Sequence, residues 1–264
     1  MTGQDGKQKV LVTGANGVIG RAVREFLGDR YELSALTRRP VDFPSHVADT
    51  TDLAGIQPAF EGIDAVVHLA SSADVATPWD DILQNNIVGT YNVYEAARRA
   101  GVKRVVFASS NHTIGMYELD GAPSIYELDD PRVYDHTAEL RPDSYYGVAK
   151  VFAEALGRYY HDNYGMAFVN LRIGTVREDD RPDAPEVYGK VPEPLERLTM
   201  EERRKRLRST WLSRRDCCEL IAAGIDTDAT WAVVYGISDN PRQFWDLSHA
   251  RELIGYDPKD SAPV

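Results

Sequence analysis

Tyr146 and Lys150 stand four apart in Tyr146-Gly-Val-Ala-Lys150, so on a helix their side chains share one face. A tyrosine hydroxyl, with a solution pKa of about 10, is a poor base near neutrality unless a cation stabilises its phenolate. Lys150 can be that cation. Ser110, closing the run Arg104-Val-Val-Phe-Ala-Ser-Ser110, offers a hydroxyl to hold a reacting oxygen. Tyr-x-x-x-Lys alone is also a common helix-face pair without chemistry. The pair gains weight from the glycine-rich stretch far upstream.

That stretch, Lys9-Val-Leu-Val-Thr-Gly-Ala-Asn-Gly-Val-Ile-Gly20, joins an apolar strand to glycines in the pattern G-x-x-G-x-x-G and then to a helix. Gly14 permits a tight turn, Gly17 lets backbone approach a pyrophosphate, and Gly20 lets the helix from Val18 to about Gly28 pack closely on a sheet. The free amides and positive dipole end of that helix suit phosphate. A second strand, Glu32 to Thr37, ends in Thr37-Arg38-Arg39, and no carboxylate lies between Ser34 and Val41. An acidic residue at this place bonds the ribose hydroxyls of NAD, whereas arginine accommodates the extra phosphate of NADP, so the ending leans toward NADP. Arg38 and Arg39 can also be read as solvated loop charges.

The elements that must hold these groups alternate. Short strands are expected at 46–49, 65–70, 104–108 and 167–173, with helices at 52–60, 79–100 and 144–164. The expected fold class is α/β, a Rossmann doubly wound parallel sheet with a small C-terminal substrate lobe. Ile82, Leu83, Ile87, Tyr91, Val93 and Ala97 are the candidate core positions of the long second helix. The third helix is expected to be capped near Asp143 and ended by Gly165. Residues 117–141 read as an irregular surface excursion, and 177–198, rich in proline and charge, as a long loop. Helices at 199–208, 214–225 and 245–254 and a strand at 233–235 complete a single domain over 1–264. Its first part, 1–175, is expected mainly to bind cofactor, and 176–264 mainly to bind substrate.

The 264 residues carry a formal charge of -11, which argues against nucleic acid or an anionic membrane as partner. No apolar run approaches the ~20 residues of a membrane helix, and the polar start Met1 to Gln8 lacks a signal-like apolar region, so a cytoplasmic protein is expected. The two cysteines, Cys217 and Cys218, are adjacent on an expected helix; they suit packing, and no metal is expected.

Over essentially its whole length the chain resembles the extended short-chain dehydrogenases/reductases. Within them, Phe107-Ala-Ser-Ser-Asn-His-Thr-Ile-Gly115, Arg141-Pro-Asp143, Arg172-Ile-Gly174, Ser209-Thr-Trp-Leu-Ser213 and Gly255-Tyr-Asp-Pro-Lys-Asp260 are similar to the uronate dehydrogenases and to haloarchaeal enzymes that oxidise glucose 6-phosphate. The resemblance implies a Ser110-Tyr146-Lys150 triad and NADP or NAD as cofactor. The reaction it implies is oxidation of the anomeric hydroxyl of an acidic sugar to a lactone. A hexuronate is the first substrate it suggests and a hexose 6-phosphate the alternative. An epimerase and a non-catalytic cofactor-binding sensor are more distant alternatives, and a homodimer or higher homo-oligomer is implied through the helices beginning near Trp79 and Ser144.

The residues expected at the cofactor are Gly14, Asn16, Gly17, Val18, Ile19, Gly20, Thr37, Arg38, Arg39, Asp49, Thr50, Leu69, Ala70, Ser71, Asn86, Tyr146, Lys150 and Ile173. Asp49 could bond the adenine amino group, and Asn86 could hold backbone or water near Lys150 or simply bridge helices. At the substrate are Ser72, Ser110, Asn111, His112, Tyr146, Thr175, Arg206 and Arg208. Asn111 and His112 would donate to sugar hydroxyls, though His112 also reads as a structural histidine. The resemblance makes Arg206 the carboxylate ligand, with Arg208 as substitute. Against this, Glu201 with Lys205 and Glu202 with Arg206 are spaced as exposed helix pairs worth ~0.2–0.5 kcal/mol each. Two departures stand out: Thr37-Arg38-Arg39 replaces the aspartate of the NAD-linked enzymes, and Ser71 to Pro78 holds no basic residue for a phosphate.

Overall fold

The computed structural model describes residues 6–184 and 193–264. Val10, Leu11 and Val12 show how its strands arise. All three are fully buried, Val10 and Val12 against one helical layer and Leu11 against the other, as a parallel strand covered on both faces requires.

In chain order the elements are β1 (Lys9–Thr13), α1 (Val18–Leu27), β2 (Glu32–Thr37), β3 (Ser45–Val47), α2 (Leu53–Ile56), β4 (Ala65–His68), α3 (Trp79–Asp81), α4 (Gly89–Ala100), β5 (Arg104–Ser110) and α5 (Gly115–Gly121). They continue with α6 (Tyr145–Tyr164), β6 (Ala167–Ile173), α7 (Glu193–Glu196), α8 (Met200–Thr210), α9 (Arg214–Asp226), β7 (Trp231–Gly236) and α10 (Ser248–Ile254). The strands form one seven-stranded sheet in the order β3-β2-β1-β4-β5-β6-β7, and every pairing is parallel. Strand order reverses between β1 and β4. The crevice beyond their carboxyl ends is where such a sheet binds ligands.

Several expectations shift. The helix expected over 79–100 opens as α3, passes through wider π-helical turns at Ile82–Val88 and resumes as α4. Ile82, Val93 and Ala97 are buried and Leu83 and Ile87 partly so, but Tyr91 is exposed. The irregular excursion contains α5 and a short 3₁₀ turn at Ser124–Tyr126, because Glu118 and Tyr126 turn inward. The cap of α6 is Ser144 rather than Asp143: its side chain accepts from the Gly147 amide. β3 stops at Val47, β4 stops at His68, and β5 runs on to Ser110. The C-terminal third is more than a lobe, since β7 extends the sheet and α9 packs beside α1 in the main core. Of the loop expected over 177–198, residues 185–192 lie outside the described residues and its end forms α7. The start of the polar segment 1–8, residues 1–5, also lies outside them. No described helix is long and apolar enough to cross a membrane.

Candidate active site

The crevice at the strand reversal is a cavity of about 600 Å³. Its first wall is the glycine turn. Gly14 has φ +73, and a methyl there would come within 2.7 Å of the Ala70 amide nitrogen; a methyl at Gly20 would come within 2.5 Å of Ala15 Cα. The turn therefore lies flat under the loop after β4, leaving the N-terminus of α1 open for phosphate. Thr13 fixes the opposite edge. Its hydroxyl accepts from the amides of Leu69 (3.2 Å) and Ala70 (3.1 Å), so it donates its own proton to His68 Nδ1 at 2.7 Å. Burial presses His68 down to about 3, which keeps it neutral, and its Nε2 meets Thr90 Oγ1 at 3.2 Å.

Of the expected cofactor residues, Gly14, Asn16, Gly17, Val18, Ile19, Gly20, Thr37, Arg38, Arg39, Asp49, Thr50, Leu69, Ala70, Ser71, Tyr146, Lys150 and Ile173 all line this one cavity. Asn16 Nδ2 donates to Thr37 Oγ1 (2.7 Å) and to the Arg39 carbonyl (3.0 Å), tying the glycine turn to the β2 ending. The Asp49 carboxylate accepts from the Thr51 amide (2.9 Å) and hydroxyl (2.8 Å), bonds that hold it below its usual range. Asn86 is not in the lining but does hold backbone, one of the roles expected for it. It is buried and grips the loop, accepting from the Ser72 amide at 2.8 Å and donating to the Ser72 carbonyl at 3.0 Å. Asn85, its neighbour in the π-helical turns, lines the cavity instead.

At the other end β5 and α6 bring the chemistry together. Ser110, Asn111, His112, Tyr146 and Lys150 line the cavity with Ser72 and Thr175. Lys150 Nζ donates to the Ala108 carbonyl at 2.7 Å and sits 5.3 Å from the Tyr146 ring centre. Burial pulls Lys150 down to about 7, against which the Glu154 charge acts. Burial likewise pushes Tyr146 up to about 12; a hydrogen bond with Ser110 works the other way. The arrangement can take a proton from an alcohol whose oxygen lies between Ser110 and Tyr146, with the positive charge of Lys150 beside the phenolate that accepts it.

Two expected substrate residues are elsewhere. Arg206 lies buried on α8, and its Nε donates to Glu118 Oε1 at 2.7 Å, away from the cavity lining. Arg208 donates to the Val264 carbonyl at 2.8 Å and lines a separate cleft with Glu127 and Pro241. The reason is the register of α8. Glu202 is spent in a capping box with Thr199, Lys205 reaches Glu127 at 2.7 Å, and the inward side then turns Arg206 onto α5. Neither expected pair four apart forms; Arg204 with Glu201 forms instead at 2.6 Å.

Sequence reasoning gave Asp143 only a capping place and a motif position, and passed over Glu154. Asp143 meets His112, and Glu154 accepts from Ser109 Oγ at 2.5 Å and from Arg172 Nε at 3.0 Å. Glu154 does follow Lys150 by four residues on the same helix face, a spacing that was visible.

The family model described as NAD dependent epimerase/dehydratase family matches residues 10–218, which span both the glycine turn and the tyrosine-lysine helix. The chain belongs to that family. Among relatives of this epimerase/dehydratase chain is the NAD-dependent glucose-6-phosphate dehydrogenase of Haloferax volcanii, 38% identical over 266 residues that cover 97% of this chain and 94% of that protein. The L-arabinose 1-dehydrogenase (NAD(P)(+)) of the same organism is 38% identical over 260 residues, 96% of this chain and 97% of that protein. The crystal structure of uronate dehydrogenase from Agrobacterium tumefaciens superposes with a TM-score of 0.75 at 34% identity, covering 97% of this chain and 85% of that one.

Proposed function

We propose that this protein oxidises the C1 hydroxyl of a sugar to the lactone with an NAD-type dinucleotide, and that a hexuronate is its first candidate substrate. The observation that carries the reading is the convergence of Ser110, Tyr146 and Lys150 at one end of a cavity whose other end is the glycine turn. The dinucleotide's phosphates would lie at Gly17 to Gly20, its adenosine near Arg38, Arg39 and Asp49, and its nicotinamide toward Ile173. Once bound, the dinucleotide supplies the acceptor for the C1 hydride. Ser110 orients the C1 hydroxyl, Tyr146 takes its proton, and Lys150 stabilises the tyrosinate that accepts it.

NADP acceptance is part of the reading. Arg38 and Arg39 line the adenosine end, and the β2 ending offers no carboxylate to repel a 2′-phosphate. The L-arabinose 1-dehydrogenase, named for both cofactors, is a relative of equal identity to the glucose-6-phosphate enzyme. Cytoplasmic residence and a homo-oligomer also belong to the proposal; Trp79, Tyr91 and Tyr145 are exposed on the helices through which copies would pair.

A hexose 6-phosphate is the alternative acidic substrate, in line with the Haloferax relative. The engagement of Arg206 by Glu118 favours a second reading, an uncharged aldose, because the sugar end of the cavity is lined by hydroxyls, amides and His112. Initial rates of NAD and NADP reduction with glucuronate, galacturonate, glucose 6-phosphate and L-arabinose separate these substrates. Tyr146→Phe should lower kcat by roughly 10²–10⁴ on whichever sugar turns over. Cofactor binding with no turnover on any of the four sugars would sink the dehydrogenase reading.

A further inference from the structure

Asp143 is a buried carboxylate beside the reacting tyrosine for which proton abstraction needs no role. Its side chain is 1% exposed, and both oxygens are engaged: Oδ1 accepts from Ser144 Oγ at 2.9 Å and Oδ2 from His112 Nδ1 at 2.7 Å. A carboxylate can only accept, so neutral His112 must carry its ring proton on Nδ1 and its lone pair on Nε2. The ring lines the cavity and meets the Tyr146 ring edge to face at 5.7 Å between centres. Two glycines make room for this contact. A methyl at Gly115 would overlap the Asp143 carboxylate. One at Gly147, inside the tyrosine-lysine motif, would overlap the His112 carbonyl and lie 3.1 Å from Pro142 Cβ.

We propose that Asp143 is a positioning residue that locks His112 with Nδ1 protonated, so that Nε2 accepts a hydrogen bond from a sugar hydroxyl neighbouring the reacting carbon. This rests on the dehydrogenase reading above. It also reverses the polarity expected for His112: toward the sugar the neutral ring accepts rather than donates. Asp143 acts on the substrate only through His112, whereas Ser110, Tyr146 and Lys150 meet the reacting oxygen or support the group that does.

The test uses Asp143→Ala, which removes the acceptor, Asp143→Asn, which keeps an acceptor oxygen, and Gly115→Ala, which displaces the carboxylate while leaving its charge and the cavity lining in place. Gly115 has helical backbone angles, so alanine there strains nothing but this contact. Asp143→Ala and Gly115→Ala should raise KM for the sugar by about 2- to 12-fold, the worth of one hydrogen bond, with the cofactor dissociation constant unchanged. Asp143→Asn should recover most of that loss. Adding Asp143→Ala to His112→Asn should cost nothing further, since the two act as one unit. Tyr146 is faced by His112, Asp143, Lys150 and Ser110, and the Asp143 charge helps hold its hydroxyl up. The rising limb of kcat, along which Tyr146 ionises, should therefore move to lower pH in Asp143→Ala and stay in place in Gly115→Ala.

Nitrogen NMR of histidine-labelled protein gives a readout without turnover. His112 should appear as the Nδ1-H tautomer in the parent and shift toward Nε2-H in Asp143→Ala. An Nε2-H tautomer in the parent, an unchanged KM in both alanine variants, or additive losses with His112→Asn would overturn the proposal. Absence of turnover on every sugar, with the tautomer as expected, would instead strike the dehydrogenase reading alone.

Discussion

Glu154→Gln probes a buried ion pair behind the site. The carboxylate, 8% exposed, receives Arg172 through Nε at 3.0 Å and through the terminal nitrogen at 2.9 Å, and Ser109 Oγ at 2.5 Å; Arg172 also donates to the Tyr235 hydroxyl at 3.1 Å. Glutamine keeps the shape but leaves a buried guanidinium without its counter-ion, which costs about 3–5 kcal/mol. At ~2–4 °C per kcal/mol for a chain of this size, Tm should fall by roughly 6–20 °C. A second effect is on Lys150, which burial already holds down to about 7 and which only the Glu154 charge raises. Without that charge Lys150 is cationic over a narrower range, and each unit lost is about tenfold in phenolate stabilisation. Raising the pH to ionise Tyr146 cannot compensate, because it discharges the lysine first. The double variant Glu154→Gln/Arg172→Met removes the stranded cation and should regain most of the Tm, yet kcat should stay low. Thermal unfolding at pH 7 and kcat across pH for the parent, the single and the double variant decide the matter. A single variant that melts with the parent would refute the energetic argument, and a double variant with parental kcat would refute the coupling to Lys150.

Gly14→Ala, forced into φ +73 and against the Ala70 nitrogen, should displace the loop after β4 and weaken cofactor binding more than about tenfold by fluorescence titration, since a left-handed alanine alone costs ~1–2 kcal/mol. Arg38→Ala with Arg39→Ala should raise KM for NADP by about tenfold or more and leave NAD nearly untouched, as loss of a phosphate-pairing guanidinium predicts; equal effects on both cofactors would make these arginines general surface charges. Glu95 is held down to about 2, chiefly by its bond from Arg98 and further by Arg99 and Tyr160. Its folded pKa lies below the unfolded 4.5, so its stabilisation is full above that pH and is lost as pH falls toward 2. Urea titrations should show Glu95→Gln weaker by ~1–2 kcal/mol at pH 7, with the gap narrowing below pH 4.5 and closing only as pH falls to about 2.

What was legible in the chain was local or periodic. The glycine turn reads from spacing because each glycine answers a steric demand within a few residues of its own strand and helix. The catalytic pair reads because four residues on a helix bring Tyr146 and Lys150 to one face whatever else the fold does. Buried strands read as apolar runs, and β6 was expected at the bounds it has, 167–173. The π-helical turns did not show, because Leu83 and Ile87, four apart, also suit an ordinary helical turn. Those turns bring Asn86 onto the Ser72 backbone and give the cavity Asn85.

Arg206 shows where reading along the chain stops. Its neighbours Glu202 and Arg208 offered a helix pair and a spare ligand, but its partner, Glu118, lies on α5, 88 residues away. Nothing in the sequence near either residue marks the other, because a long-range ion pair needs only that two helices cross at the right height. The same holds for Asp143 with His112, 31 residues apart, and for Glu154 with Arg172 across α6 and β6. In each case a carboxylate on one element fixes a cation or an imidazole on another, and among the described residues the sugar end of the cleft is lined by hydroxyls and amides with His112 and Lys150. Anion recognition by Arg206 would have to break a pair in which both partners are buried. A uronate that turned over fast would therefore have to displace Glu118 on binding. KM for that uronate should then fall in Glu118→Gln while KM for L-arabinose holds; a parallel change in both would show that Arg206 never reaches the sugar.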